Sequence, residues 1–86
     1  MKKIIGIQEL KGDYEGRAYH SYRFYLQVEN RENDRGVITE NIKVKKSIVD
    51  EILNKNQYND VSDLLGLNVV NIYYDSYKNV VDIIGE

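Results

Sequence analysis

Three features of this 86-residue chain predict an all-β domain, mostly β with one short helix. The stretch Tyr19–Val28 alternates with period two, proline is absent, and only Ile48–Leu53 carries apolar residues at helical spacing. The alternation places His20, Tyr22, Phe24, Leu26 and Val28 on one strand face. Tyr19, Ser21, Arg23, Tyr25 and Gln27 fall on the other. The first face is a core. The absence of proline suits continuous hydrogen-bonded strands.

The first strand is predicted over Met1 to Leu10, with Ile4, Ile5, Ile7 and Leu10 apolar. Its phase slips before Leu10, and Gly6 sits nearby, as expected of a bulge that bends a strand. Lys11-Gly12-Asp13-Tyr14-Glu15-Gly16 reads as a turn. The second strand runs from Arg17 to Glu29, and Asn30–Gly36 is a polar hairpin tip. Strand three, Val37 to Lys45, points Ile38, Ile42 and Val44 inward and Thr39, Asn41, Lys43 and Lys45 outward. Glu40 interrupts its apolar face and predicts a barrel edge there. Ser47 is expected to cap a helix, with Asp50 or Glu51 answering from the first turn. Ile48, Val49, Ile52 and Leu53 form its apolar stripe, and Asn54 and Asn56 end it.

Residues 57–67 admit a further helical turn, with Val61, Leu64, Leu65 and Leu67 apolar and Asp60 or Ser62 as cap. Strand four follows over Asn68 to Tyr74, with Val70, Ile72 and Tyr74 on its core face. Asp75–Asn79 is a hairpin connection, and Val80 to Ile84 is strand five. Three strands, a helix and two strands match the order β-β-β-α-β-β of a five-stranded OB-fold Greek-key barrel. An SH3-like barrel ranks second, because it usually places its helical turn before only one last strand.

The bulk numbers bound the function. A single domain is expected, since a chain this short buries only about 60–65% of its unfolded surface. No Cys is present, so disulfides and thiolate metal sites are excluded, and a cytoplasmic setting is expected. A single His makes no transition-metal site, and no cofactor is expected. No run approaches the roughly 18 apolar residues of a membrane span, and Gln8, Glu9 and Lys11 interrupt any export-like start. Catalytic constellations and phosphate-cradling glycine loops are missing, so neither an enzyme nor a small-molecule substrate is expected. The net charge of −2 is unevenly spread. Residues 1–46 hold ten Lys/Arg against seven Asp/Glu, a net +3, and residues 47–86 carry −5. A local basic surface matters more to a polyanion than the total.

Tyrosine carries the functional signal: eight Tyr accompany one Phe and no Trp. Tyr19 and Tyr25 flank Arg23 on the solvent face of strand two. Rings interleaved with cations suit stacking of unpaired bases and pairing of the phosphates between them. Arg17, Lys43, Lys45 and Lys46 are candidates for the same surface, and Tyr73 and Tyr77 for an additional one on the last hairpin. The candidate nucleic-acid-binding set is therefore Arg17, Tyr19, Arg23, Tyr25, Lys43, Lys45, Tyr73 and Tyr77, with the acidic second half expected to face away. His20 is expected to be a half-buried structural residue. The competing reading is a small β-barrel interaction or structural module, because Tyr and Arg also favour protein interfaces.

The motifs Lys3-Ile4-Ile5-Gly6-Ile7-Gln8, Gly16-Arg17-Ala18-Tyr19 and Tyr22-Arg23-Phe24-Tyr25-Leu26 precede a closing hairpin, Val70–Ile83. In these pieces the chain resembles small single-stranded-DNA-binding proteins of phages and mobile elements. More narrowly, it is similar to the gene V-like helix-destabilising proteins of filamentous phages and their relatives in Gram-positive bacteria. The longer Asn54–Gly66 region departs from the compact Gly-Asp turn usual there. The resemblance implies a homodimer that binds single-stranded DNA cooperatively, during replication, without strong sequence preference. RNA is an alternative polymer, since such barrels stack bases of either kind.

Overall fold

The computed structural model describes residues 2–86. Five antiparallel strands form one open sheet: β1 (Lys2–Tyr14), β2 (Arg17–Val28), β3 (Ile38–Lys45), β4 (Asn68–Tyr74) and β5 (Val80–Gly85). Helix α1 (Lys46–Asn56) and a 3₁₀ turn (Val61–Leu64) join β3 to β4. The strand order is β3-β2-β1-β4-β5, so β1 pairs on one side with β2 and on the other with β4. The edge strands β3 and β5 lie in contact without pairing as neighbours.

The period-two reading of β2 holds at Phe24 and Leu26, but Ser21, expected on the solvent face, is buried. Phe24 and Leu26 are fully buried, with Ile7 and Ile42 flanking Phe24 on β1 and β3. Ile4, Val44, Val69, Val80 and Ile83 extend this core, and Val49, Ile52 and Leu64 close it from the connecting segment. Glu40 stands on the inward side of β3 but reaches solvent and pairs with Lys2. A slip in register between Ile4 and Gly6 leaves Ile5 unpaired and 43% exposed, the bulge expected near Gly6.

Several local expectations need correction. Residues 11–14 are not a turn: β1 stays paired with β2 as far as Tyr14 opposite Arg17. Only Glu15 and Gly16 turn, with φ of 50° and 77°, the positive pair that matches strand twist in a two-residue hairpin. Met1, assigned to the first strand from sequence, lies outside the described residues.

Helix α1 starts at Lys46, with Lys45 at the cap position and no side-chain cap. Because β3 runs straight into the helix, Ser47 is already inside the first turn. Asp50 instead accepts from Lys46 Nζ at 2.6 Å, one turn back. Asn56 remains helical, and Gln57, in the left-handed conformation, ends the element. The ambiguous segment resolves into the 3₁₀ turn, where Asp60 and Asp63 form a reciprocal capping box.

Strand four is phased differently from the expectation. Val70 is an extra residue between the pairs Val69–Gly85 and Asn71–Ile84. This bulge puts Val69 and Ile72 inward and leaves Val70 56% exposed, while Tyr74, in phase with Ile72 and opposite Val80, is 52% exposed at the strand end. Neither belongs to the core.

Phe24 is the largest fully buried side chain and lies in the core between Ile7 of β1 and Ile42 of β3. Replacement with Ala should lower unfolding free energy by about 3–5 kcal/mol. Urea denaturation monitored by circular dichroism would measure this loss, and a loss below about 1 kcal/mol would contradict the packing described.

Candidate nucleic-acid interface

Strand register gives the three-stranded part of the sheet two chemically different faces. On the outer face, Lys3, Gly6, Gln8, Leu10, Gly12 and Tyr14 of β1 lie opposite Gln27, Tyr25, Arg23, Ser21, Tyr19 and Arg17 of β2. Thr39, Asn41, Lys43 and Lys45 of β3 continue these rows beyond Gln27, Tyr25, Arg23 and Ser21. Five cations share this face (Lys3, Arg17, Arg23, Lys43 and Lys45) and none of its positions is a carboxylate. The acids of the same strands, Glu9, Asp13 and Glu40, are opposite Tyr22, Ala18 and Leu26 and therefore project from the other side.

Two hollows open on this surface. The first runs from Tyr19, Ser21, Asn41, Lys43 and Lys45 to Tyr74, Lys78, Asn79 and Val80, across the contact between β3 and β5. The second lies beside the hairpin arm, bordered by Tyr14, Glu15, Arg17, Tyr19 and Lys43. Tyr19 and Lys43 belong to both, so the hollows form one strip. Arg17, Lys43 and Lys45 make no ion pair among the described residues. An unpaired ammonium on such a strip remains available to an incoming anion.

The turn after β4 is held rigidly. Asp75 Oδ1 accepts from the backbone N–H of Tyr77 at 2.8 Å and of Asn79 at 2.9 Å. These bonds, with the Asn79 N–H foremost, hold the Asp75 carboxyl below its ordinary range, and Lys45 adds to the effect. Part of the acidic half nonetheless meets the strip, against the expectation that it faces away: Tyr74, Lys78, Asn79 and Val80 line the first hollow, and Asp75 belongs to the same turn. Its charge is already engaged by the turn.

Of the sequence-derived candidates, Arg17, Tyr19, Lys43 and Lys45 come together on this strip. Arg23 and Tyr25 share its face but sit farther along β2 and line neither hollow. Arg23 is half-buried, and its Nε–H lacks an acceptor. Tyr25 donates its hydroxyl to Gln8 Oε1 at 3.1 Å. Tyr73 is cross-strand from Asp82 and on the opposite side of β4 from Tyr74. Tyr77, 85% exposed at the turn tip, also lies outside the strip. Sequence reasoning missed Tyr74 and Asn41. The adjacent Val69-Val70 pair, which breaks alternation, is the one signal for the bulge, and no local pattern marks the exposure of Tyr74 at the end of β4.

His20 is half-buried, as expected. Its Nε2–H donates to Glu9 Oε2 at 2.9 Å, and Tyr22 Oη donates to the same oxygen at 3.1 Å. The rings of His20 and Tyr22 are 5.4 Å apart. No family model, curated protein or solved structure matches this chain.

The His20 bond, followed by that from Tyr22, lowers the Glu9 pKa below 4.5. A carboxylate depressed on folding stabilises the fold above its unfolded pKa and loses that contribution as pH falls through the folded value. Glu9→Gln should therefore flatten the decline in stability below about pH 4.5, compared by urea midpoints at pH 7 and pH 3. Equal declines in both proteins would remove Glu9 as a source of acid sensitivity.

Proposed function

We propose that this chain is an OB-fold protein that binds single-stranded DNA without sequence preference. Tyrosine rings stack bases, and Arg and Lys side chains pair with phosphates. The observation that carries this reading is the outer face itself, whose strand positions are cationic, tyrosine-bearing and free of carboxylates despite an overall charge of −2, with Glu15 of the hairpin turn bordering one hollow. Mixed charges would be ordinary on a solvated sheet face. Segregation by face concentrates positive potential where a flexible polyanion can lie across three strands.

Supporting the OB-fold are the pairing of β1 with both β2 and β4, the contact between β3 and β5, and a helix between β3 and β4. The strip between the hairpin arm and the β4–β5 turn lies where such barrels take oligonucleotides. A homodimeric, cytoplasmic protein that coats strands during replication of a phage or mobile element agrees with the motif resemblance.

Titration with oligo(dT), followed by tyrosine fluorescence, tests the proposal. Quenching should weaken steeply with salt, because phosphate neutralisation releases counterions. Lys43→Ala combined with Lys45→Ala should reduce the slope of log K against log salt by about 1.4, at roughly 0.7 per lost phosphate contact. Tyr25→Ala should cost about 1–3 kcal/mol of affinity with the fold intact. Absence of both quenching and salt dependence would remove the reading, and tighter binding of a matched RNA would reassign the polymer.

A further inference from the structure

Both tyrosines on the outer face of β2 stand directly opposite a glycine of β1: Tyr19 opposite Gly12 and Tyr25 opposite Gly6. Position 12 does not need glycine for its backbone. The positive-φ glycines are Gly16, Gly36 and Gly66, which lie outside the strands. Gly12 is inside β1, where glycine ordinarily weakens a strand. A side chain there would instead meet the free end of the neighbouring ring. A Cβ at position 12 would meet Tyr19 Oη at 2.8 Å, Cζ at 3.0 Å and Cε1 at 3.3 Å. The phenol is therefore laid across the bare backbone of β1. Its hydroxyl makes no hydrogen bond among the described residues, so no polar anchor holds it there.

We infer that Gly12 is a positioning residue for nucleic-acid binding, acting through Tyr19; this rests on the function proposed above. Stacking requires an accessible π-face at a fixed height, and a ring standing on edge offers a poorer platform. Laid over Gly12, Tyr19 keeps nearly half its surface in solvent and remains beside Lys43 in both hollows. A side chain at position 12 would lift the ring from the strip. Gly6 is the internal contrast. A Cβ there would meet Tyr25 at 3.5 Å, an ordinary contact, and Tyr25 has its own anchor at Gln8.

The test is a double-mutant cycle read by anisotropy of fluorescein-labelled oligo(dT). Gly12→Ala should weaken binding roughly tenfold, the scale of one stacked base. In a Tyr19→Ala background the same change should cost less than about twofold, as should Gly6→Ala in the wild type. The salt slope should stay unchanged, because the cations are untouched. A purely structural role would give equal losses in both backgrounds, and that result, an altered slope or no loss at all would overturn the inference.

A second measurement needs neither DNA nor the glycine variant. Ring current from Tyr19 should displace the Gly12 Hα resonances of the wild-type protein, and Tyr19→Leu should return them to ordinary values. Undisplaced resonances would refute the placement of the ring. If wild-type protein fails to bind oligo(dT), the functional reading falls and takes the inference with it. Binding with an additive cycle overturns the inference alone.

Discussion

The register of β2 between β1 and β3 is the constraint on which both the core and the candidate site depend. Side chains alternate along a strand, so a slip of one residue would exchange the two faces completely. In the observed register Phe24 and Leu26 fill the core, while Tyr19, Arg23 and Tyr25 project outward. Burying Phe24 and Leu26 stabilises by about 1.5–3 kcal/mol each, and a slipped strand would instead bury a guanidinium. The core thus fixes which positions the opposite face displays, and the residue types at those positions give that face its chemistry.

Bulges tune what this register leaves open. The one at Ile5 lets β1 bend so that it pairs with β2 along most of its length and with β4 only at Lys2 and Lys3. The one at Val70 reverses the phase of β4 so that Val69 and Ile72 both face inward, and Tyr74, in phase with Ile72, reaches the strip beside Lys45 at the strand end. The carboxylates nearest the strip are disposed differently. Asp75 is held by the backbone of its own turn, whereas Glu15 lies at the tip of the hairpin arm. Net charge misleads here because the acids of β1 and β3 lie behind the sheet.

Much of this was legible in the residues. The alternation of Tyr19–Val28 is legible because Phe24 and Leu26 lie on the core side of β2, and that asymmetry writes itself into the sequence. The burial of Ser21 on the other side does not. The outward set of β3 was legible for the same reason. Strand four was misread because its two adjacent valines hide a bulge, and a bulge is set by pairing with β5, which no local pattern records. The end of β1 was misread because Gly12 and Asp13 are turn formers by composition. Gly12 instead lies beneath Tyr19, a cross-strand partner seven positions away in the chain. Arg17, Tyr19, Lys43 and Lys45 could be named from sequence; that they converge while Tyr73 and Tyr77 stay apart depends on tertiary phase.

Chemical-shift mapping of backbone amides during addition of oligo(dT) tests the central claim most directly. The account predicts the largest changes at Arg17, Tyr19, Arg23, Tyr25, Lys43 and Lys45 and in the Asp75–Asn79 turn, with α1 unmoved. Changes concentrated on α1 or around Glu9 and His20, on the reverse of the sheet, would contradict it.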